Sequence, residues 1–416
     1  MLLLYRLLIN LILLISPLIL IFRIIKKKEN FLRFKEKFGF FSQKRKKGKL
    51  VWFHGASVGE LHSVIPLIEK LNQWNYIDQI LITSNTLSSS KIMENIKLKK
   101  VSHQFFPIDN NQIIKKFLQK WKPSIAIFVD SEIWPNTIIN LKEKKIPIFL
   151  LNARLTKKSF KRWLRIKKFA NLIFKKLDLC LCSNKETIKY LRKLGAKNIK
   201  YYGNLKYSQS EIKEDKLSSK LINFISKKKV WCASSTHNFE ERFAGIIHKK
   251  LKIKYKNLLT VIIPRHIDRE IEIESQLNQM GLKIHKHESN NKLSNETDIY
   301  LVNSYGKTKS FYSKIKNVYL GGSLISHGGQ NPLEAARYNC NILHGPNVYN
   351  FKEIYGFLAK HKISNKVTNI NQAINSLDRL FSSKNNKKNI KNKIKTIGYK
   401  ILNKNLNEIK ILLKKV

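Results

Sequence analysis

From Leu50 onward the chain is a succession of short, wholly apolar runs, each followed by a charged segment of helical pattern: LVWFH, QILITS, SIAIFV, IPIFLL and DLCLCS. A strand that is apolar at every position has no side for water, so these runs imply a parallel sheet covered on both faces. The pattern breaks at the polar stretch QSEIKEDKLSSK and resumes near Lys229 with KVWCAS, LLTVIIP, DIYLVN, NVYLGG and NILHG. The expectation is an α/β protein of two doubly wound domains, 50–207 and 229–383, joined by a linker at 208–228. Two such domains facing a cleft would hold their ligand at the carboxyl ends of the strands. A basic helical segment, 384–416, completes the chain and is expected on the surface.

The first 49 residues have another character. Leu7 to Phe22 is almost wholly apolar, and residues 1–25 are expected to form a membrane anchor helix, close to the roughly 20 residues that spanning requires. The run ends in RIIKKK and not in a small-residue cleavage site, which argues against a cleaved signal peptide. The basic segment 26–49 then favours a cytoplasmic location for both domains. Pro17 and Asn10 leave a shallow, monotopic seat open beside a single-pass one. Because no strand-end motif lies within residues 1–22, their removal is expected to leave the remainder folded.

With 80 Lys and Arg against 28 Asp and Glu, the formal net charge is +52. The lysines are spread throughout, and no zinc-finger, RNP-like or helix-turn-helix signature accompanies them. An anionic membrane surface or acidic ligand is therefore expected, and no nucleic acid. Cys180, Cys182, Cys232 and Cys340 lack metal-ligand spacing and read as reduced core thiols, with Cys180 and Cys182 on one face of a strand. No metal is expected.

The segments that carry chemistry stand where strands end. Gly321 to Ala336 (GGSLISHGGQNPLEAA) follows an apolar run and enters a helical pattern, a place where backbone amides can meet a phosphate. Asn331 fits its N-cap and Pro332 its first position, while Glu334 is either half of a capping box or an acceptor for ribose hydroxyls. Glu60 in HGASVGE is either a favourable first-turn acid or a base, and beside amide donors it is expected to stay ionised. Asp130 and Glu132 in DSEIWPN add carboxylates at another strand end. Arg154 opens a cationic run, NARLTKKSFKRW, suited to an anionic acceptor. Lys206 in GNLKY and Arg265 in IPRH are candidate electrostatic partners, Arg265 for a phosphate.

SVGE, SEIWPN, NARLTKKSFKRW, GNLK, ASSTH, IPRH and GGSLISHGGQNPLEAA together, in this order and spacing, resemble the bacterial 3-deoxy-D-manno-octulosonic acid (Kdo) transferases over nearly the whole chain. The resemblance implies two Rossmann-like domains of the glycosyltransferase-B fold. It implies an inverting, metal-independent transfer of Kdo from CMP-Kdo to the lipid A precursor on the cytoplasmic side of the bacterial inner membrane. By position, Glu60 matches the catalytic base, and Asp130 and Lys206 match transition-state stabilisers. CMP contacts fall on Pro264, Arg265, Tyr305, Gly306, Lys307, Asn331, Pro332, Leu333 and Glu334. A transferase of the same fold using a UDP-sugar, or a non-catalytic anionic-lipid-binding protein, are the alternatives.

Two positions depart from the family pattern. Asp130 stands where a Glu is usual, and Asp-Thr-x-Gly-Glu reads Asn303-Ser304-Tyr305-Gly306-Lys307 here. The second change puts a cation where a nucleotide-binding acid is expected, so that Lys307 either reaches the phosphate itself or the contact is lost.

Overall fold

The computed structural model describes residues 1–209, 216–287, 289, 293–383 and 389–415. The chain divides into two compact units, 1–210 with 396–416, and 211–395. Part of the expected linker, 210–215, and the start of the expected C-terminal segment, 384–388, lie outside the described residues.

The first unit contains strands β1 (Leu50–His54), β2 (Gln79–Ser84), β3 (Val101–Phe105), β4 (Ile125–Val129), β5 (Ile148–Ala153), β6 (Leu179–Cys182) and β7 (Ile199–Tyr201). Their order is 3-2-1-4-5-6-7, and neighbouring strands pair in parallel. Successive residues feed opposite cores. Trp52, Phe128, Leu150, Cys180 and Cys182 pack on one face, and Val51, Phe53, Ile127, Phe149 and Leu181 on the other. That division is why the strands are apolar throughout. Burial also pushes the Cys180 and Cys182 thiols up, Cys182 to about 12, which suits inert packing groups.

The second unit repeats the plan with β8 (Lys229–Thr236), β9 (Leu258–Pro264), β10 (Ile284–Lys286), β11 (Ile299–Leu301), β12 (Asn317–Leu320), β13 (Asn341–His344) and β14 (Ser364–Lys366). The order is 10-11-9-8-12-13-14, again parallel. In each sheet the chain reverses its direction of winding between two strands, β1 and β4 in the first, β8 and β12 in the second. Loops leaving those strands splay apart, which makes each such point a ligand crevice.

Both ends of the chain fold otherwise than a free tail would. The helix Ile390–Leu413 was expected on the surface, yet it seats Ile401, Leu402, Ile409 and Leu413 in the same core as Val51 and Phe53. Its polar flank is tied as well, by Lys200 to Glu408 at 2.7 Å. The basic segment after the N-terminal helix also carries internal ion pairs. Buried Glu29 accepts from Arg23 and Lys37, and buried Glu36 from Arg33 and the amide of Phe105, so several of its cations bind the protein itself.

The N-terminal helix, Leu2–Ile25, is long and apolar enough to cross a membrane. It is nonetheless joined to the first unit through Tyr5, Arg6 and Asn10.

Candidate active site

In the first unit the strand-end motifs gather at the crevice between β1 and β4. After β1 the chain turns through Gly55, where a Cβ would lie 3.0 Å from Leu61, and enters the helix Val58–Asn72. Ser57 caps that helix. Glu60 closes the box from the other side, accepting the Ala56 amide at 2.7 Å and the Ser57 hydroxyl at 2.9 Å. The capping reading and the functional one therefore describe a single side chain.

After β4, Asp130 adopts a left-handed backbone (φ 62°), with its amide bound to Leu151 of β5 and its carbonyl to the Arg154 amide. Glu132 accepts from the Trp134 indole at 2.9 Å and lies 3.1 Å from the buried His54 ring, which is stacked on Phe106. Asn152, at the end of β5, accepts the Leu205 amide at 2.9 Å. It thereby holds GNLK against the site. Gly203 is left-handed (φ 99°) with Ile401 where a Cβ would be, and Asn204 accepts the Lys206 amide.

The result is a compact electrostatic cluster of Glu60, Asp130, Glu132, Arg154 and Lys206. Burial pushes the Asp130 carboxyl up, against the pull of Arg154 and Lys206. Burial likewise lowers the Lys206 ammonium, opposed chiefly by Asp130. Glu60 does not stay fully ionised as expected. Burial, then the charges of Glu132 and Asp130, push it up to about 7, outweighing its bonds from Ser57 and Ala56. A carboxylate near neutrality is a stronger base than one at 4, and a large share of it is still ionised at neutral pH.

The activity should depend on pH accordingly. As the base that the resemblance implies, Glu60 must be deprotonated, so activity is expected to rise with pH through about 7 and level off above it. Glu132→Gln removes one of the repelling charges and is expected to move that limb to lower pH. A limb that stays in place in this variant would show that Glu132 does not act on the titrating group.

In the second unit the glycine-rich turn after β12 behaves differently from the expectation. The amides of Gly322, Ser323 and Leu324 do not await a phosphate; they converge on the carboxylate of Glu240, which also takes the His237 amide and the Tyr319 hydroxyl. A Cβ on Gly321 would lie 2.4 Å from the Ser235 carbonyl, so glycine lets the loops after β8 and β12 touch. The helix beyond the turn is only Leu333–Arg337, too short for much dipole, with Pro332 rather than Asn331 at its N-cap. Asn331 instead accepts the Leu333 amide at 3.2 Å.

Around this inner nest lie the residues that the resemblance assigns to the nucleotide. Pro264 is buried at the end of β9, and Arg265 follows it, exposed, with its amide on Thr236. His237 and His327 flank Gly322 with their rings 4.4 Å apart, and the His266 ring lies 5.9 Å from that of His237. Tyr305 is exposed, Gly306 is left-handed (φ 87°) in open space, and Lys307 occupies the N-cap position of the helix Thr308–Lys314. Lys309 on that helix lies 3.6 Å from Glu334, which brings the Tyr305–Lys307 and Asn331–Glu334 segments together. Glu240 escaped the sequence reading, since an acid in a first helical turn carries no mark of what it will bind.

Residues 32–209 match the family model described as 3-deoxy-D-manno-octulosonic-acid transferase (kdotransferase). The 3-deoxy-D-manno-octulosonic acid transferase of Rickettsia bellii is 31% identical over 376 residues, 90% of this chain and 89% of that protein. The chain belongs to the Kdo transferase family. The transferase of Rickettsia prowazekii is 33% identical over 343 residues, 81% of this chain and 73% of its own length. The fold of this Kdo transferase is similar to that of UDP-GlcNAc 2-epimerase from Neisseria meningitidis bound to UDP-GlcNAc, at a TM-score of 0.57 and 13% identity, covering 88% of this chain and all of that one. Two doubly wound domains of this kind constitute the glycosyltransferase-B fold, and the activity of the family is glycosyl transfer.

Proposed function

We propose that this enzyme transfers Kdo from CMP-Kdo to the sugar of a lipid A precursor, with inversion and with Glu60 as the general base. The observation that carries the reading is Glu60 itself, poised at about 7 in the β1–β4 crevice beside Lys206, Arg154 and Asp130. Glu60 takes the proton of the acceptor hydroxyl as its oxygen bonds to the anomeric carbon of Kdo. The bond from that carbon to the CMP phosphate oxygen breaks, and CMP leaves with the electron pair. Arg265 answers the charge that builds on the phosphate, and Lys206 with Asp130 stabilises the transition state. The cationic helix Lys157–Arg165 suits the phosphates of the acceptor. The apolar N-terminal helix and its basic flank support a seat on the cytoplasmic side of a bacterial inner membrane.

The test is mass analysis of the product formed from CMP-Kdo and the lipid A precursor by the full-length protein in detergent. CMP is expected to raise the unfolding temperature and UDP to leave it unchanged. Transfer is expected to continue in a chelator, with the phosphate charge met by Arg265 and neighbouring donors. Protection by UDP alone would assign a different donor, and activity lost in EDTA and restored by magnesium would overturn the metal-free mechanism.

A further inference from the structure

The N-terminal helix does more than adhere to the first unit. Leu2 and Tyr5 pack on its core, with the Tyr5 and Phe169 rings 6.0 Å apart. The Tyr5 hydroxyl donates to Asp109 at 2.7 Å, and Asn10 accepts from Asn110 at 2.7 Å. Arg6 donates to Asn136 at 3.1 Å and to Asn111 at 3.2 Å. Leu3, Leu7, Leu14 and Leu18, by contrast, are more than half exposed.

These bonds hold the start of the helix Pro135–Glu143. Proline at its first position has no N–H, and Trp134 at its N-cap provides no side-chain cap. The next two amides, of Asn136 and Thr137, therefore need an acceptor from elsewhere. Asp109 supplies it, at 2.9 and 2.8 Å, while also accepting the Thr137 hydroxyl. Asn136 is fully buried, its side-chain amide donating to the Asp109 carbonyl and its oxygen accepting from Arg6. One residue upstream of this helix start is Trp134, bound to Glu132, and Glu132 is bound in turn to His54 in the acceptor-side crevice.

We infer that Arg6 and Tyr5 are positioning residues for the transfer reaction, acting through Asn136 and Asp109 on the loop that carries Asp130, Glu132 and Trp134. This rests on the proposed role of that crevice in binding the acceptor. Losing the helix is then a loss of site geometry and not only of anchorage, even where the remainder stays folded as expected without residues 1–22.

The experiment uses the full-length protein in detergent, with the acceptor dispersed at saturating concentration so that partition to a membrane plays no part. Arg6→Ala and Tyr5→Phe are compared with Leu7→Ser, which alters only the exposed apolar face. Arg6→Ala is expected to lower kcat by roughly ten-fold or more, the scale of a small misplacement of a catalytic loop, with CMP protection and acceptor KM nearly unchanged. Hydrogen exchange at the Asn136 and Thr137 amides should quicken in both Arg6→Ala and Tyr5→Phe and stay at the parental rate in Leu7→Ser. Parental kcat and exchange in Arg6→Ala and Tyr5→Phe would overturn the inference, as would an equal loss in Leu7→Ser. If the parental protein transfers no Kdo, the proposed function fails, and faster exchange in the Arg6 and Tyr5 variants alone still supports the link from the helix to the loop.

Discussion

Glu60→Gln is expected to slow Kdo transfer by roughly 10²–10⁴-fold, the usual contribution of a positioned general base. The substitution keeps the length of the side chain and an oxygen to accept the Ala56 amide, which Glu60 now receives at 2.7 Å. It removes the lone pair that takes the proton. Folding should survive, and the sign of the linkage says why. A carboxyl raised from 4.5 to about 7 in the folded state disfavours folding progressively as pH rises through that interval. Above pH 7 the cost is about 3 kcal/mol, at about 1.4 kcal/mol for each unit. The amide carries none of that cost, so the variant should lose less stability between pH 5 and pH 8 than the parental enzyme does. CMP affinity should be unchanged, since the proposed CMP-binding residues belong to the second unit. Transfer at near the parental rate by a folded variant would remove Glu60 from the mechanism and turn attention to Asp130 and Glu132.

The second large effect is expected at Glu240. Replacing it by Ala leaves the amides of His237, Gly322, Ser323 and Leu324 and the Tyr319 hydroxyl without the acceptor they share. Removing one partner from a buried charged network costs roughly 3–5 kcal/mol, because the remaining groups stay desolvated. For a domain of this size the unfolding temperature of the second unit should fall by on the order of 10 °C. CMP binding should weaken with it, as the turn that Glu240 holds leads directly to Asn331 and Glu334. Thermal unfolding with and without CMP separates the two effects. A variant of parental stability would mean that water replaces the carboxylate, and the nest would then be a feature of the turn alone.

Legibility in the residues tracks burial. The ten apolar runs each fall on a strand, from β1 and β2 to β12 and β13. The four strands without such a run are β3, β7, β10 and β14, and these are the four edges of the two sheets. An edge strand is covered less, and sequences such as Ile284–Lys286 or Ser364–Lys366 have no reason to be apolar. That Glu60, Asp130 and Lys206 stand near strand ends was legible, and the structure brings the three together at the β1–β4 crevice. The proton affinity of Glu60 was not, since it depends first on burial and then on the charges of Glu132 and Asp130, which come from a different strand end. The glycine-rich turn was legible as an anion nest, but its anion proved to be Glu240, 82 residues before Gly322. Asp109 and Arg6 were invisible for a related reason: local pattern cannot show that the cap of one helix is supplied by a residue far away in the chain.

The seating of Ile401, Leu402, Ile409 and Leu413 beneath the first sheet has a bearing on biosynthesis. The second unit is, in chain order, an insertion within the first, and its sheet uses only residues between 229 and 366. It can therefore complete its fold on the ribosome while the earlier-made first unit still waits for the final stretch of its core. Until residues 396–413 emerge, an apolar groove on that unit remains open to chaperones and proteases. A message interrupted late would leave the sheet of the second unit complete and the core of the first without Ile401, Leu402, Ile409 and Leu413, a product whose open apolar core quality control can recognise.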